Sequence, residues 1–162
     1  MAKAILICGP ICAGKTTYAK KLASETNAVI LSVDEVMLTI FGQHCGDMHD
    51  EYAARTQKYL YSKSLELINS GIDVILDWGF WTHDGRREAT AFYRSRGIEC
   101  EMHCLDVDTD VLSEHIKKRN AEVEQGSTLA YYVDENLVRK FEALYEEPGA
   151  DEADVNIYVC VE

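Results

Sequence analysis

Residues 4 to 17 read Ala4-Ile5-Leu6-Ile7-Cys8-Gly9-Pro10-Ile11-Cys12-Ala13-Gly14-Lys15-Thr16-Thr17. The apolar run Ala4 to Cys8 breaks into Gly9 to Thr16, which is G-x-x-x-x-G-K-[ST] without a mismatch, a phosphate-binding loop of the Walker A form. Gly9 and Gly14 let the backbone curl so that successive amides point inward, and a helix starting near Lys15 aims its positive end at the same point. The expected nucleotide contacts are Gly9, Pro10, Ile11, Cys12, Ala13, Gly14, Lys15, Thr16 and Thr17, with Cys12 and Ala13 contributing amides rather than side chains. Lys15 would bridge the β- and γ-phosphates, and the Thr16 hydroxyl would be a ligand of the accompanying Mg²⁺. The plainer alternative is a glycine turn between strand and helix, but a chance match in a chain this long has a probability of roughly 0.5%. Beyond the loop, Tyr18, Leu22, Ala19 and Ala23 share a helix face opposite Lys20, Lys21 and Ser24.

Outward from the loop, strand and helix patterns alternate. A short strand over Ala28 to Ser32 leads into a helix from Asp34 to Phe41 that stops at Gly42. After a polar break at 43–50, a helix over 50–69 carries Tyr52, Thr56, Tyr59, Leu60, Leu67 and Ile68 as its apolar stripe and ends at Gly71. The run Ile72 to Leu76 reads as a strand covered on both faces and ends in Asp77-Trp78-Gly79-Phe80-Trp81. A helix over 82–96, a strand over 99–106, and a helix capped by Asp108 or Thr109 and carrying Val111, Leu112, His115 and Ile116 follow. Residues 120–132 read as irregular, 134–146 as a helix stopped by Pro148-Gly149, and Val155 to Val159 as a closing strand. This alternation predicts an α/β fold: a parallel sheet of five strands with helices on both faces, in one domain spanning residues 1–162. In such a sheet the ligand sits beyond the carboxyl ends of the strands, where the Walker loop, Asp34 and residues 77–81 all fall.

Composition limits the partners. The formal net charge of −12, with acidic clusters at Glu122 to Glu124, Glu146-Glu147 and Asp151 to Asp154, opposes a long nucleic-acid partner. Six cysteines, at 8, 12, 45, 100, 104 and 160, include no C-x-x-C pair and read as thiols in a reducing cytoplasm. The first apolar run is too short for a signal peptide, and no stretch approaches a membrane span.

Four sets of residues outside the loop suit phosphoryl transfer. Asp34, just after the second strand, is placed either to accept the proton of an acceptor hydroxyl or to cap the helix that follows. Asp77, at the end of Val74-Ile75-Leu76, has the Walker B form of a Mg²⁺ partner. Trp78, Phe80 and Trp81 either pack in the core or wall an acceptor pocket, and at least one is expected in the core. Arg119 falls on the inward face at the expected end of its helix and is the candidate lid arginine, contacting nucleotide and neutralising charge on the transferred group. The lid would span about 119–139. Arg86 and Arg87 either hold an anionic acceptor or are surface cations on a helix, and Arg55 is open in the same way. The histidines at 44, 49, 83, 103 and 115 show no ligand spacing.

Taken together, G-P-I-C-A-G-K-T-T, L-S-V-D-E-V-M, V-I-L-D-W-G-F-W, a helix ending K-K-R-N and a closing F-E-A-L-Y-E-E-P resemble the small AAA-like P-loop kinases. That group is related to zeta-toxin, chloramphenicol phosphotransferase and polynucleotide kinase. The resemblance implies a P-loop NTPase three-layer sandwich with strand order 2-3-1-4-5. It also implies an ATP-dependent phosphotransferase with Asp34 as base, Thr16 and Asp77 around Mg²⁺, and Arg119 in the lid. Two departures stand out. Polynucleotide kinase has an arginine three residues after its catalytic aspartate where this chain has Met37, and the stretch between Arg119 and Arg139 contains no other basic residue. The expected activity is transfer of the γ-phosphate of Mg-ATP to a hydroxyl of a small molecule, with an ATP-binding sensor that acts through a partner as the alternative. A toxin or resistance kinase would share the chemistry and differ in substrate.

Overall fold

A computed structural model describes residues 1–159; Cys160 lies outside them. Five strands, β1 (Ala4–Cys8), β2 (Val29–Leu31), β3 (Val74–Gly79), β4 (Cys100–Val107) and β5 (Val155–Val159), form one sheet in the order β2-β3-β1-β4-β5. Every pairing is parallel. Six α-helices connect them: α1 (Lys15–Thr26), α2 (Val33–Phe41), α3 (His49–Asn69), α4 (His83–Arg94), α5 (Thr109–Glu124) and α6 (Glu135–Leu144). The fold and strand order are those expected of a P-loop NTPase.

The two-residue alternation of β1 builds both faces of the core. Ala4, Leu6 and Cys8 pack with Leu76, Met37 of α2, Leu60 of α3 and Tyr93 of α4. Ile5 and Ile7 pack on the other face with Ile75, Ala19 of α1 and Leu112 of α5. The order then fixes the site, because β1 lies between β3 and β4 and all the strands point the same way. The Walker loop therefore leaves the middle of the sheet with the end of β3 beside it.

Three boundaries differ from the sequence-based expectation, each for a local reason. β2 and α2 meet at Ser32, whose Oγ accepts from the Glu35 amide at 3.3 Å, so Ser32 serves as N-cap and not as strand. β3 begins and ends later, because Asp73 turns to accept from the Lys3 amide at 2.9 Å and pairing with β1 continues to Gly79. Asp77 therefore lies within the strand, not after it. α5 continues to Glu124, since nothing between Arg119 and Gly126 breaks a helix, and the expected irregular stretch is correspondingly shorter. Among the described residues no helix is long and apolar enough to cross a membrane.

Candidate active site

The two motif glycines are needed for different reasons. A Cβ at Gly9 would stand 3.1 Å from Leu105 Cβ and 3.2 Å from Leu105 O, so the loop passes too close to β4 for a side chain. Gly14 has open space around it but a φ of 91°, in the left-handed region, where it sets the amino end of α1. Cys12 also adopts a positive φ, 57°, which a residue with a Cβ resists.

Lys15 Nζ donates to the carbonyls of Gly9 (3.0 Å) and Pro10 (2.6 Å) and stands 4.6 Å from the ring centroid of Trp81. Desolvation lowers its pKa to about 8, against the raising influence of Asp77, Cys12, Cys8 and Asp34. Thr16 Oγ1 donates to Asp77 Oδ2 at 2.7 Å, so the Walker hydroxyl and the β3 carboxylate are in contact at the foot of the loop. Asp77 itself is buried.

The capping alternative for Asp34 does not hold, because Ser32 occupies that position and Asp34 lies in the first turn of α2. Asp34 is exposed as a residue, although protein crowds the surroundings of its carboxylate. Desolvation raises its pKa, Arg119 opposes this, Asp77 adds to it, and Lys15 and His49 oppose it further. Asp34, Asp77, Lys15 and Arg119 thus share one electrostatic environment, brought together from α2, β3, the loop and α5.

Arg119 occupies the inner side of α5, as expected, although within the helix rather than at its end. Its Nε donates to Tyr131 O at 3.0 Å, and its Nη1 lies 3.5 Å from Cys12 Sγ. His115, one turn earlier, places Nδ1 2.9 Å from Cys12 O. A carbonyl only accepts, so Nδ1 carries the proton. Neither His115 nor Tyr131 was singled out from sequence. Tyr131 packs edge-on against His49 at 5.7 Å, and burial, reinforced by Asp34 and Cys45, pushes its phenol up to about 12. Side-chain amides fasten the same stretch. Gln43 pairs with Ala130 O (2.7 Å) and the Tyr132 amide (3.0 Å), and Asn120 pairs with both Val133 O and its amide at 2.8 Å. No spacing rule links Gln43 to residues 130–132, and so the sequence carried no signal for it.

The arginines expected on the acceptor side are engaged elsewhere. Arg86 is only 1% exposed, which corrects its reading as a surface cation. Its guanidinium is shared among Glu152 (3.2 Å), Phe80 O (2.9 Å) and His83 Nδ1 (2.9 Å). Burial opposes ionisation of Glu152, but Arg86, the Gly149 amide and His83 outweigh it and lower its pKa to about 2. Arg87 pairs with Asp84, and Arg55 with Glu51, on exposed helix faces. Of the three aromatics, Phe80 is the core residue, with a φ of 48° after the 92° of Gly79. Trp78 and Trp81 are half-buried. A Cβ at Gly79 would meet the Trp81 indole at 2.6 Å, so the turn and that ring require each other.

Comparison with known proteins bears on the fold and the family. No curated protein matches the sequence. Solved structures share the fold at low identity. Kti12 of Chaetomium thermophilum, in complex with ADP-AlF3, is 15% identical, with a TM-score of 0.70 over 96% of this chain and 88% of that one. The APS kinase CysC of Mycobacterium tuberculosis, in complex with AMPPNP and APS, is 17% identical, with a TM-score of 0.67 over 97% and 88%. A gluconokinase of Sinorhizobium meliloti 1021 is 13% identical, with a TM-score of 0.66 over 99% and 84%. A family described as AAA domain matches residues 5–148. Spanning the Walker loop, Asp34, Asp77 and Arg119, that match settles the membership: the chain belongs to the AAA domain family, on the P-loop fold that these kinases also adopt.

Proposed function

We propose that the chain is a cytoplasmic kinase that moves the γ-phosphate of Mg-ATP to a hydroxyl of a small molecule. The observation that carries this is Asp34, a carboxylate released from capping by Ser32 and held in the first turn of α2, with a pKa raised by burial and near enough to Arg119, Asp77 and Lys15 for their charges to act on it. A base of this kind works best when its pKa approaches the working pH. The free thiols at Cys8, Cys12, Cys45, Cys100 and Cys104 suit a reducing compartment.

In this mechanism the loop amides from Ile11 to Thr17 hold the polyphosphate, and Lys15 swings from the Gly9 and Pro10 carbonyls onto it. The Thr16 hydroxyl and the Asp77 carboxylate form a hard oxygen pair that fits Mg²⁺. When bound, that ion neutralises charge on the β- and γ-phosphates. Asp34 orients the acceptor hydroxyl and takes its proton as the new oxygen–phosphorus bond forms and the bond to ADP breaks. Arg119, released from Tyr131 O, meets the charge on the transferred group, and residues 119–139 close as a lid.

Phosphorus NMR of the protein with Mg-ATP and pooled metabolites tests this, wild type against Asp34→Asn. A phosphate ester made by wild type alone supports it. Bound nucleotide with no ester from any pool would instead favour the sensor reading. One observation supports that alternative: Leu129 and Tyr132, 58% and 45% exposed, stand beside the segment tied to the loop through Arg119 and could meet a partner.

A further inference from the structure

Beside the Walker lysine, α3, the end of β3 and α4 enclose a cavity of about 480 Å³. Gln57, Tyr61, Trp78, Trp81, Glu88 and Phe92 supply most of its wall. Trp81 is its link to the chemistry, since Lys15 Nζ lies 4.6 Å from the centroid of that ring. Trp78 Nε1 is buried without an acceptor among the described residues.

The charges select the occupant. Glu88 is the one ionised side chain in this lining, and it forms no ion pair among the described residues. No lysine or arginine is among its lining residues: Lys58 lines the adjoining groove along α3, and Lys15 approaches only the Trp81 end, 4.6 Å from the centroid of that ring. Arg86 and Arg87, which sequence reasoning offered to an anionic acceptor, are committed to Glu152 and Asp84. At the Glu88 end a carboxylate or phosphate would meet no counter-charge in the lining, whereas an ammonium group would find both Glu88 and the faces of the aromatic rings. α4 sets a length as well. Glu88 stands six residues beyond Thr82, hence about 9 Å along the helix from the Trp81 end.

Resting on the kinase reading above, we infer that the acceptor is an amino alcohol. Its hydroxyl lies at the Trp81 end, facing the phosphate loop, and its ammonium group lies about 9 Å away beside Glu88. This separates the chain from the gluconokinase and APS kinase whose fold it shares, because both are named for anionic compounds.

Three probes of equal length and different charge decide the matter: aminohexanol, hexanediol and hydroxyhexanoate. The only tryptophans of the chain, Trp78 and Trp81, both line this cavity, so intrinsic fluorescence reports its occupancy without turnover. Aminohexanol is expected to bind at least about tenfold more tightly than hexanediol, with hydroxyhexanoate weakest. Glu88→Gln, an exposed substitution that leaves the core untouched, should reduce the preference for the amine by about fivefold. Equal binding of the three probes, tighter binding of the carboxylate, no binding of any, or a preference unchanged in Glu88→Gln would each overturn the inference. Phosphorus NMR on the same samples separates the two proposals. Amine selectivity without any ester keeps the cavity assignment and defeats the kinase reading, while an ester formed on hydroxyhexanoate alone keeps the kinase and defeats the amino alcohol.

Discussion

The expected nucleotide end and the proposed acceptor end lie against each other, with Lys15 Nζ 4.6 Å from the Trp81 ring, yet they are built in opposite ways. The phosphate loop is one continuous stretch whose chemistry comes from backbone amides, a helix end and two residues held at fixed spacing. The proposed acceptor wall is assembled from side chains on α3, α4, α6 and the end of β3 with the turn after it, and Phe141 of α6 packs at a tilt against Trp81 at 4.7 Å. A site made of backbone tolerates little variation in sequence. A site made of scattered side chains can change its ligand without changing its fold.

The sharpest way to break that comparison is to remove one residue from each end. Lys15→Ala should abolish nucleotide binding and transfer together, since the loop loses its one mobile cation. Asp34→Asn should lower turnover by about 10²–10⁴-fold while nucleotide affinity stays within a factor of two or three. Calorimetric titration with Mg-ATP beside a phosphorus NMR assay reads both effects. If Asp34→Asn weakened nucleotide binding as much as transfer, Asp34 would belong to the nucleotide end and the division would fail.

This contrast also explains what the sequence disclosed. The parallel α/β sheet with helices on both faces followed from regular alternation, whereas the strand order came from the resemblance to the small AAA-like P-loop kinases. Arg86 stayed open between holding an anionic acceptor and lying on the surface, because its partner Glu152 is 66 residues away in the sequence. Asp34 was left open between base and cap, although Ser32-Val33-Asp34-Glu35 carries the S-x-x-E pattern that assigns the cap to Ser32. The fastening of residues 130–133 by Gln43 and Asn120 depends on contacts across 87 and 13 residues, which no helical or strand period encodes.

The next effect is on stability and belongs to the acceptor wall. Glu152→Gln leaves Arg86 buried without its counter-charge and should cost about 3 kcal/mol in urea melts. The sign of its pH dependence follows from the lowered pKa of about 2 in the folded chain. The contribution is complete above the ordinary carboxylate range and disappears as pH falls from there toward 2, so wild type should lose in acid an advantage that the variant lacks throughout. Equal stabilities at neutral pH would show that Arg86 is held by Phe80 O and His83 alone.

A gentler test acts on the nucleotide end. Free Lys15 has its pKa lowered to about 8, and polyphosphate favours its charged form. Below that pH nucleotide affinity should be flat. Above it, binding must take up a proton, and affinity should fall by up to about tenfold per pH unit until the pKa of the bound state is reached. Titration with Mg-ATP across this range checks the slope, and a flat profile would mean that Lys15 is already fully charged in the free chain.

The smallest expected effect separates two neighbours on one helix. Ser32→Ala removes the cap of α2 and should lower stability by about 1 kcal/mol, because the Glu35 amide loses its acceptor. Turnover, measured where both proteins are folded, should change little, since Met37 and Leu38 still anchor α2 in the core. Asp34→Asn should do the reverse, leaving the melting curve nearly in place while activity collapses. Two substitutions two residues apart would then divide one turn of helix into a part that builds the site and a part that performs its chemistry. If Ser32→Ala reduced turnover as severely as Asp34→Asn, the position of Asp34 would depend on the cap, and the acceptor end would prove less tolerant of change than its construction suggests.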